Sequence, residues 1–136
     1  MKKISFFAAL LLLSVGAKAQ SSVQILTNFL SGCSINVKLM AYSGCTLVMT
    51  SSSIVISSSG AVTYGLTSPI WSGPTTGLQI KAVEVDNPCG PVLNVGEACT
   101  GFSSNATISC SPCFVHTSNC LWTYSSGSTA TLQITN

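Results

Sequence analysis

Residues 34–42 read SINVKLMAY, and the alternation in this stretch decides the fold class. Ile35, Val37, Leu39 and Ala41 fall on one side of an extended chain, while Asn36, Lys38, Met40 and Tyr42 fall on the other. Successive side chains of a strand point to opposite faces, so a period of two predicts a half-buried strand. Residues 129–135, TATLQIT, repeat the pattern with Ala130, Leu132 and Ile134 inward. Residues 78–85, LQIKAVEV, begin the same way, and then the apolar phase shifts between Ile80 and Val83. A β-bulge, or burial on both faces, accounts for such a shift. Shorter candidates of similar composition are 23–30, 53–57, 61–66, 106–110 and 120–124.

Working outward, the connections carry turn chemistry. Ser58-Ser59-Gly60 and Ser125-Ser126-Gly127-Ser128 read as hairpin turns between neighbouring strand candidates. Ser72-Gly73-Pro74 and Asn87-Pro88-Cys89-Gly90-Pro91 read as loops, because proline cannot donate to a ladder and glycine permits positive φ. About eight short strands separated by such signals predict an all-β fold, a two-sheet antiparallel β-sandwich of immunoglobulin-like or Greek-key type. The segment 88–119 is less regular and rich in cysteine, and reads as a stapled, loop-rich stretch before the last hairpin.

The first twenty residues read differently. Lys2 and Lys3 precede an apolar run from Ile4 to Val15, and Ala17-Lys18-Ala19 offers small residues for cleavage. The run falls short of the roughly 20 apolar residues that span a bilayer. Residues 1–19 are therefore expected to be a cleaved signal peptide, and 20–136 a single disulfide-stapled β-sandwich domain with no stable membrane span after processing. The expected location is secreted, periplasmic or cell-surface.

After the leader, Lys38 and Lys81 face Glu84, Asp86 and Glu97, a net charge of −1, and the chain has no arginine. Nucleic-acid binding requires many phosphate-neutralising cations, so DNA and RNA are excluded as expected partners.

The seven cysteines are Cys33, Cys45, Cys89, Cys99, Cys110, Cys113 and Cys120. In an exported chain disulfides are the default, and an odd count leaves one thiol over. Bracketing of local segments predicts Cys33 with Cys45, Cys89 with Cys99, and Cys120 with Cys110 or Cys113. Cys110, Cys113, His116 and Cys120 have the ligand order of a zinc knuckle. The gaps around the histidine do not fit, and the basic residues of a nucleic-acid binder are missing, so no metal and no cofactor are expected. Cys110-Ser-Pro-Cys113 also lacks the following helix that activates a redox dithiol.

Catalysis is not expected either. Glu84 and Asp86 share one strand face, about 6–7 Å apart by strand rise, but read as solvated charges at a strand end. Many serines could join His116 and Asp86 on paper, yet no Gly-x-Ser-x-Gly elbow marks a nucleophile. What remains is surface recognition. Ser and Thr supply 35 of the 117 residues after the leader, and only five are charged. Such a surface suits neutral partners, a carbohydrate or a protein surface. Trp122 and Tyr124 share a strand face and Trp71 lies in a loop beside Pro69 and Pro74, making these three the candidate ligand-binding residues. The competing reading of Trp122 is a core residue. The alternative function is a structural or adhesive subunit that self-associates through edge strands, with TATLQITN completing a neighbour's sheet as in pilin-like donor-strand assembly. Asn105-Ala106-Thr107 is a glycosylation sequon, relevant only in a glycosylating host.

Overall fold

The computed structural model describes residues 20–28, 32–86, 89–110, 113–114, 118–124 and 128–135, the side chains of Ser118 and Tyr124 excepted. The expected signal peptide, residues 1–19, lies outside them. Ten strands pack as two sheets. Sheet I has the order β5 (Gly60–Gly65), β1 (Ser22–Thr27), β10 (Thr129–Thr135), β9 (Ser118–Tyr124), β8 (Asn105–Ile108). Sheet II has the order β3 (Thr46–Thr50), β2 (Ile35–Ser43), β6 (Gln79–Asp86), β7 (Leu93–Gly96), with β4 (Ile54–Ile56) continuing the β3 edge along β2. A single 3-10 turn, Ala98–Thr100, follows β7. All strand pairs are antiparallel except β1 with β10, which run parallel from Ser22 opposite Thr129 to Thr27 opposite Ile134. The two-sheet antiparallel sandwich expected from the alternation is the observed architecture.

The core lies between the sheets, where the alternation places it. Val23 and Ile25 of β1, Leu132 and Ile134 of β10, Val37 and Leu39 of β2, and Val83 and Val85 of β6 are all essentially inaccessible. A fully buried aliphatic side chain of this kind stabilises by about 1.5–3 kcal/mol. The phase shift in β6 is a bulge: Met40 faces Ala82 and Ala41 faces Ile80, which leaves Lys81 without a partner on β2. Burial on both faces also holds there. Ala82 is buried on the outer face with Met40 and Tyr42, under the half-buried Phe102.

Three expectations need correction. Ser58-Ser59-Gly60 does reverse the chain, but it joins no hairpin, because β4 pairs with β2 in one sheet and β5 with β1 in the other. Strands β3 and β7 were not expected. The apolar residues of β3 lack the alternating burial that marks a half-buried strand, since Leu47 and Val48 are both exposed. Strand β7 sits in the segment read as loop. Its Gly96 fits because a Cβ there would come within 2.6 Å of Ala82 Cβ and 2.7 Å of Lys81 O, closer than any side chain tolerates.

Candidate functional site

The cysteines staple one end of the sandwich. Cys33 bonds to Cys113 and Cys89 to Cys110, with Cα separations of 5.5 and 5.1 Å. The local pairings are overturned, for a plain reason. Cys33 and Cys45 lie beyond opposite ends of β2, whose nine residues span about 30 Å at strand rise. Cys89 and Cys99 are likewise separated by β7. Each real link joins the sheet II end, before β2 or after β6, to the sheet I end, after β8 or before β9. Both cysteines of the Cys110-Ser-Pro-Cys113 motif are consumed by different distant partners, so the motif holds no dithiol. Cys120 joins neither of them. It points into the core from β9, fully buried, and burial pushes its thiol up to about 12. His116 lies outside the described residues. Among the described residues no group of three or more His, Cys, Asp or Glu is placed to hold a metal ion.

The two tryptophan candidates do not form an exposed binding face. Trp122 is 2% exposed and packs in the core, with its indole N–H unpartnered. A ring sealed between two sheets cannot stack on a ligand, so the core reading of Trp122 replaces the binding one. Trp71 is half-buried against the core and its Nε1–H donates to Gly65 O at 2.9 Å. The backbone of Tyr124 pairs with Ala130, and its side chain lies outside the described residues.

The carboxylates are engaged by cross-strand neighbours. Lys38 sits directly opposite Glu84 and bonds it at 2.8 Å, and Asn36 sits opposite Asp86 with its Nδ2 at 3.5 Å from Oδ2. The hydrogen bond to Glu84 raises the Lys38 ammonium above its ordinary value. At the far end of β6, the bulged Lys81 reaches Glu97 at 3.5 Å. Gln20, buried beside it, donates its Nε2–H groups to Ile80 O at 2.6 Å and to Glu97 Oε1 at 2.8 Å. Every charged residue after position 19 therefore lies on β2, on β6 or just after β7. Sheet I carries none. Its outer face carries hydroxyls and amides in register, as in the row Thr63, Gln24, Thr131, Thr123, of which Thr131 is buried by its neighbours.

The two lateral sides of the sandwich differ. On the β7–β8 side, Gly96 N–H donates to Ser103 O at 3.0 Å and Trp122 N–H donates to Ser104 O at 2.7 Å. The chain between β7 and β8 thus hydrogen-bonds sheet II to sheet I. On the other side, β3 and β4 form the edge of sheet II and β5 the edge of sheet I. The segment after β5 covers part of that side. Ser52 N–H donates to Ile70 O at 2.8 Å, and Leu66, Ile70 and Trp71 pack against the core. Outside this cover, Leu47, Val48, Val55 and Val62 are 47, 50, 62 and 37% exposed. Sequence reasoning did not single these residues out. The available signal was the run from Leu39 to Ile80, which contains no charged residue and no histidine.

Comparison of the chain with protein-family models, with curated proteins and with solved structures finds no match.

Proposed function

We propose that this chain is an exported, non-catalytic β-sandwich that works by recognising protein, and that strands β3, β4 and β5 pair with the same edge of a second copy. The supporting observation is the composition of these edges. Sheet edges in soluble proteins are normally protected by charge, proline, bulges or covering chain, because their free backbone groups template further strands. Here both edges fall in the uncharged run and expose Leu47, Val48, Val55 and Val62. An antiparallel edge is complementary to itself about a two-fold axis. An uncharged edge also brings no like charges together when two identical copies meet. The two disulfides fit an oxidising compartment. Among the described residues no helix is long and apolar enough to cross a membrane.

A carbohydrate reading has one observation in its favour, the neutral hydroxyl and amide outer face of sheet I. It lacks the aromatic anchor that Trp122 was expected to provide. Sedimentation velocity over a concentration series tests the proposal, with a glycan array alongside. The expected result is reversible dimerisation or higher assembly, abolished by Val48→Lys with Val55→Lys. A wild-type protein that stays monomeric throughout overturns it, and glycan binding by that monomer transfers the function to sheet I.

A further inference from the structure

Two exposed thiols, Cys45 and Cys99, meet at the end of sheet II opposite the disulfides. Cys45 lies in the turn between β2 and β3, where Gly44 adopts φ 61°, a left-handed conformation that glycine takes without strain. Cys99 lies in the 3-10 turn that follows β7. Strand β6 runs between β2 and β7, so both turns flank its first residues. The segment after β7 then folds back across the outer face. Phe102 packs on Met40, Tyr42 and Ala82, and the Thr100 hydroxyl donates to Glu97 O at 2.6 Å while accepting from Phe102 N–H at 3.3 Å. This brings Cys99 to the end of β2. Its Sγ lies 3.8 Å from Lys81 Nζ, and the neighbouring thiol of Cys45 pushes its ionisation upward.

The cysteine count points the same way. Four of the seven are in disulfides and Cys120 is sealed in the core, which leaves this one facing pair. We propose that Cys45 and Cys99 are a thiol–disulfide exchange site that closes as a third disulfide, clasping the β2–β3 turn to the turn after β7. The oxidant is a small-molecule or protein disulfide, for which oxidised glutathione serves as the probe. One protein thiolate attacks a glutathione sulfur, forming a mixed disulfide and releasing one glutathione thiolate. The second protein thiolate attacks the protein sulfur of that mixed disulfide and expels the other glutathione. Two protein thiols are oxidised, one oxidised glutathione becomes two glutathione thiols, and the protein's two thiol protons end on them. The neighbouring Cys45 and burial hold the Cys99 thiol above its ordinary value, and the Lys81 ammonium beside it opposes that rise only in part, so the exchange is expected to quicken as pH is raised.

The test uses the full exported chain, first with its accessible thiols reduced under native conditions and then incubated with oxidised glutathione. Maleimide labelling before and after unfolding is followed by non-reducing peptide mapping. The expected result is a Cys45–Cys99 peptide, two glutathiones released per chain, near-complete loss of native labelling at both positions, and labelling of Cys120 only after unfolding. Cys45→Ser should stop the reaction at a stable mixed disulfide on Cys99. Separate glutathione adducts on both cysteines of the wild-type chain, continued native labelling of both, or a link from either to another chain overturns the proposal. None of these outcomes depends on whether the edge strands assemble.

Discussion

The two sides of this sandwich solve the same problem in different ways. Where β7 and β8 end their sheets, Ser103 and Ser104 hydrogen-bond to both sheets, and the Cys89–Cys110 link ties their connections together. Where β3, β4 and β5 end theirs, there is partial cover by the following loop, no charge, and four exposed aliphatic side chains. One side is closed by hydrogen bonds and a disulfide, and the other leaves strand edges uncovered. On the proposed reading, the contrast separates stability from recognition. Damage on the closed side should then unfold the protein, whereas damage on the open side should change only its pairing.

Trp122→Ala strikes the closed side hardest. The ring fills the core beside the Ser104 hydrogen bond, and its loss should destabilise by about 4 kcal/mol in chemical denaturation. A drop of less than about 1 kcal/mol would mean that the ring is not packed as described. Opening the Cys89–Cys110 link by a double serine substitution comes next, at about 3 kcal/mol for its separation of 21 residues. If this variant were as stable as the parent, the hydrogen-bonded bridge alone would account for the closure.

A third effect comes from Cys120. An unfolded thiol ionises near pH 8.5, whereas this one is held up to about 12 by burial. Above pH 8.5 the unfolded chain releases a proton that the folded chain keeps. The stabilisation is therefore complete below about pH 8.5 and fades as pH rises toward the folded value, by about 2 kcal/mol at pH 10. Denaturation curves at the two pH values should show this fall in the parent and a flatter response in Cys120→Ala. Val48→Lys should have the smallest effect on stability, within about 0.5 kcal/mol, while weakening self-association. A large loss of stability in this variant would erase the distinction between the two sides.

How much of this was legible varies by element. Residues 34–42 and 129–135 announced strands because their apolar residues alternate toward the core, although Met40 and Tyr42 are covered on the outer face as well, and the phase shift at 78–85 announced the bulge at Lys81. Strand β3 was hidden because Leu47 and Val48 are both exposed, so apolar residues there do not mark an inward face. The Ser58-Ser59-Gly60 turn signalled a reversal, but a turn does not encode which sheet receives the next strand. The disulfides are not legible in local spacing because a strand drives its two ends apart, so cysteines that bracket it in sequence are distant in space. The binding face around Trp122 failed on a similar point: alternation puts Trp122 on a face and cannot say which face is inside. The uncharged run from Leu39 to Ile80 was visible throughout, but it acquires meaning only once β3, β4 and β5 are known to be edges.

The parallel pairing of β1 with β10 bears on how the protein withstands pulling. Tension applied through the chain before Ser22 and after Thr135 draws these neighbouring strands in opposite directions along their own axes. The six paired positions of that ladder are then loaded together in shear, and none can be peeled open ahead of the rest. A chain held at those two points would meet the load across this whole ladder at once, and rupture would be abrupt.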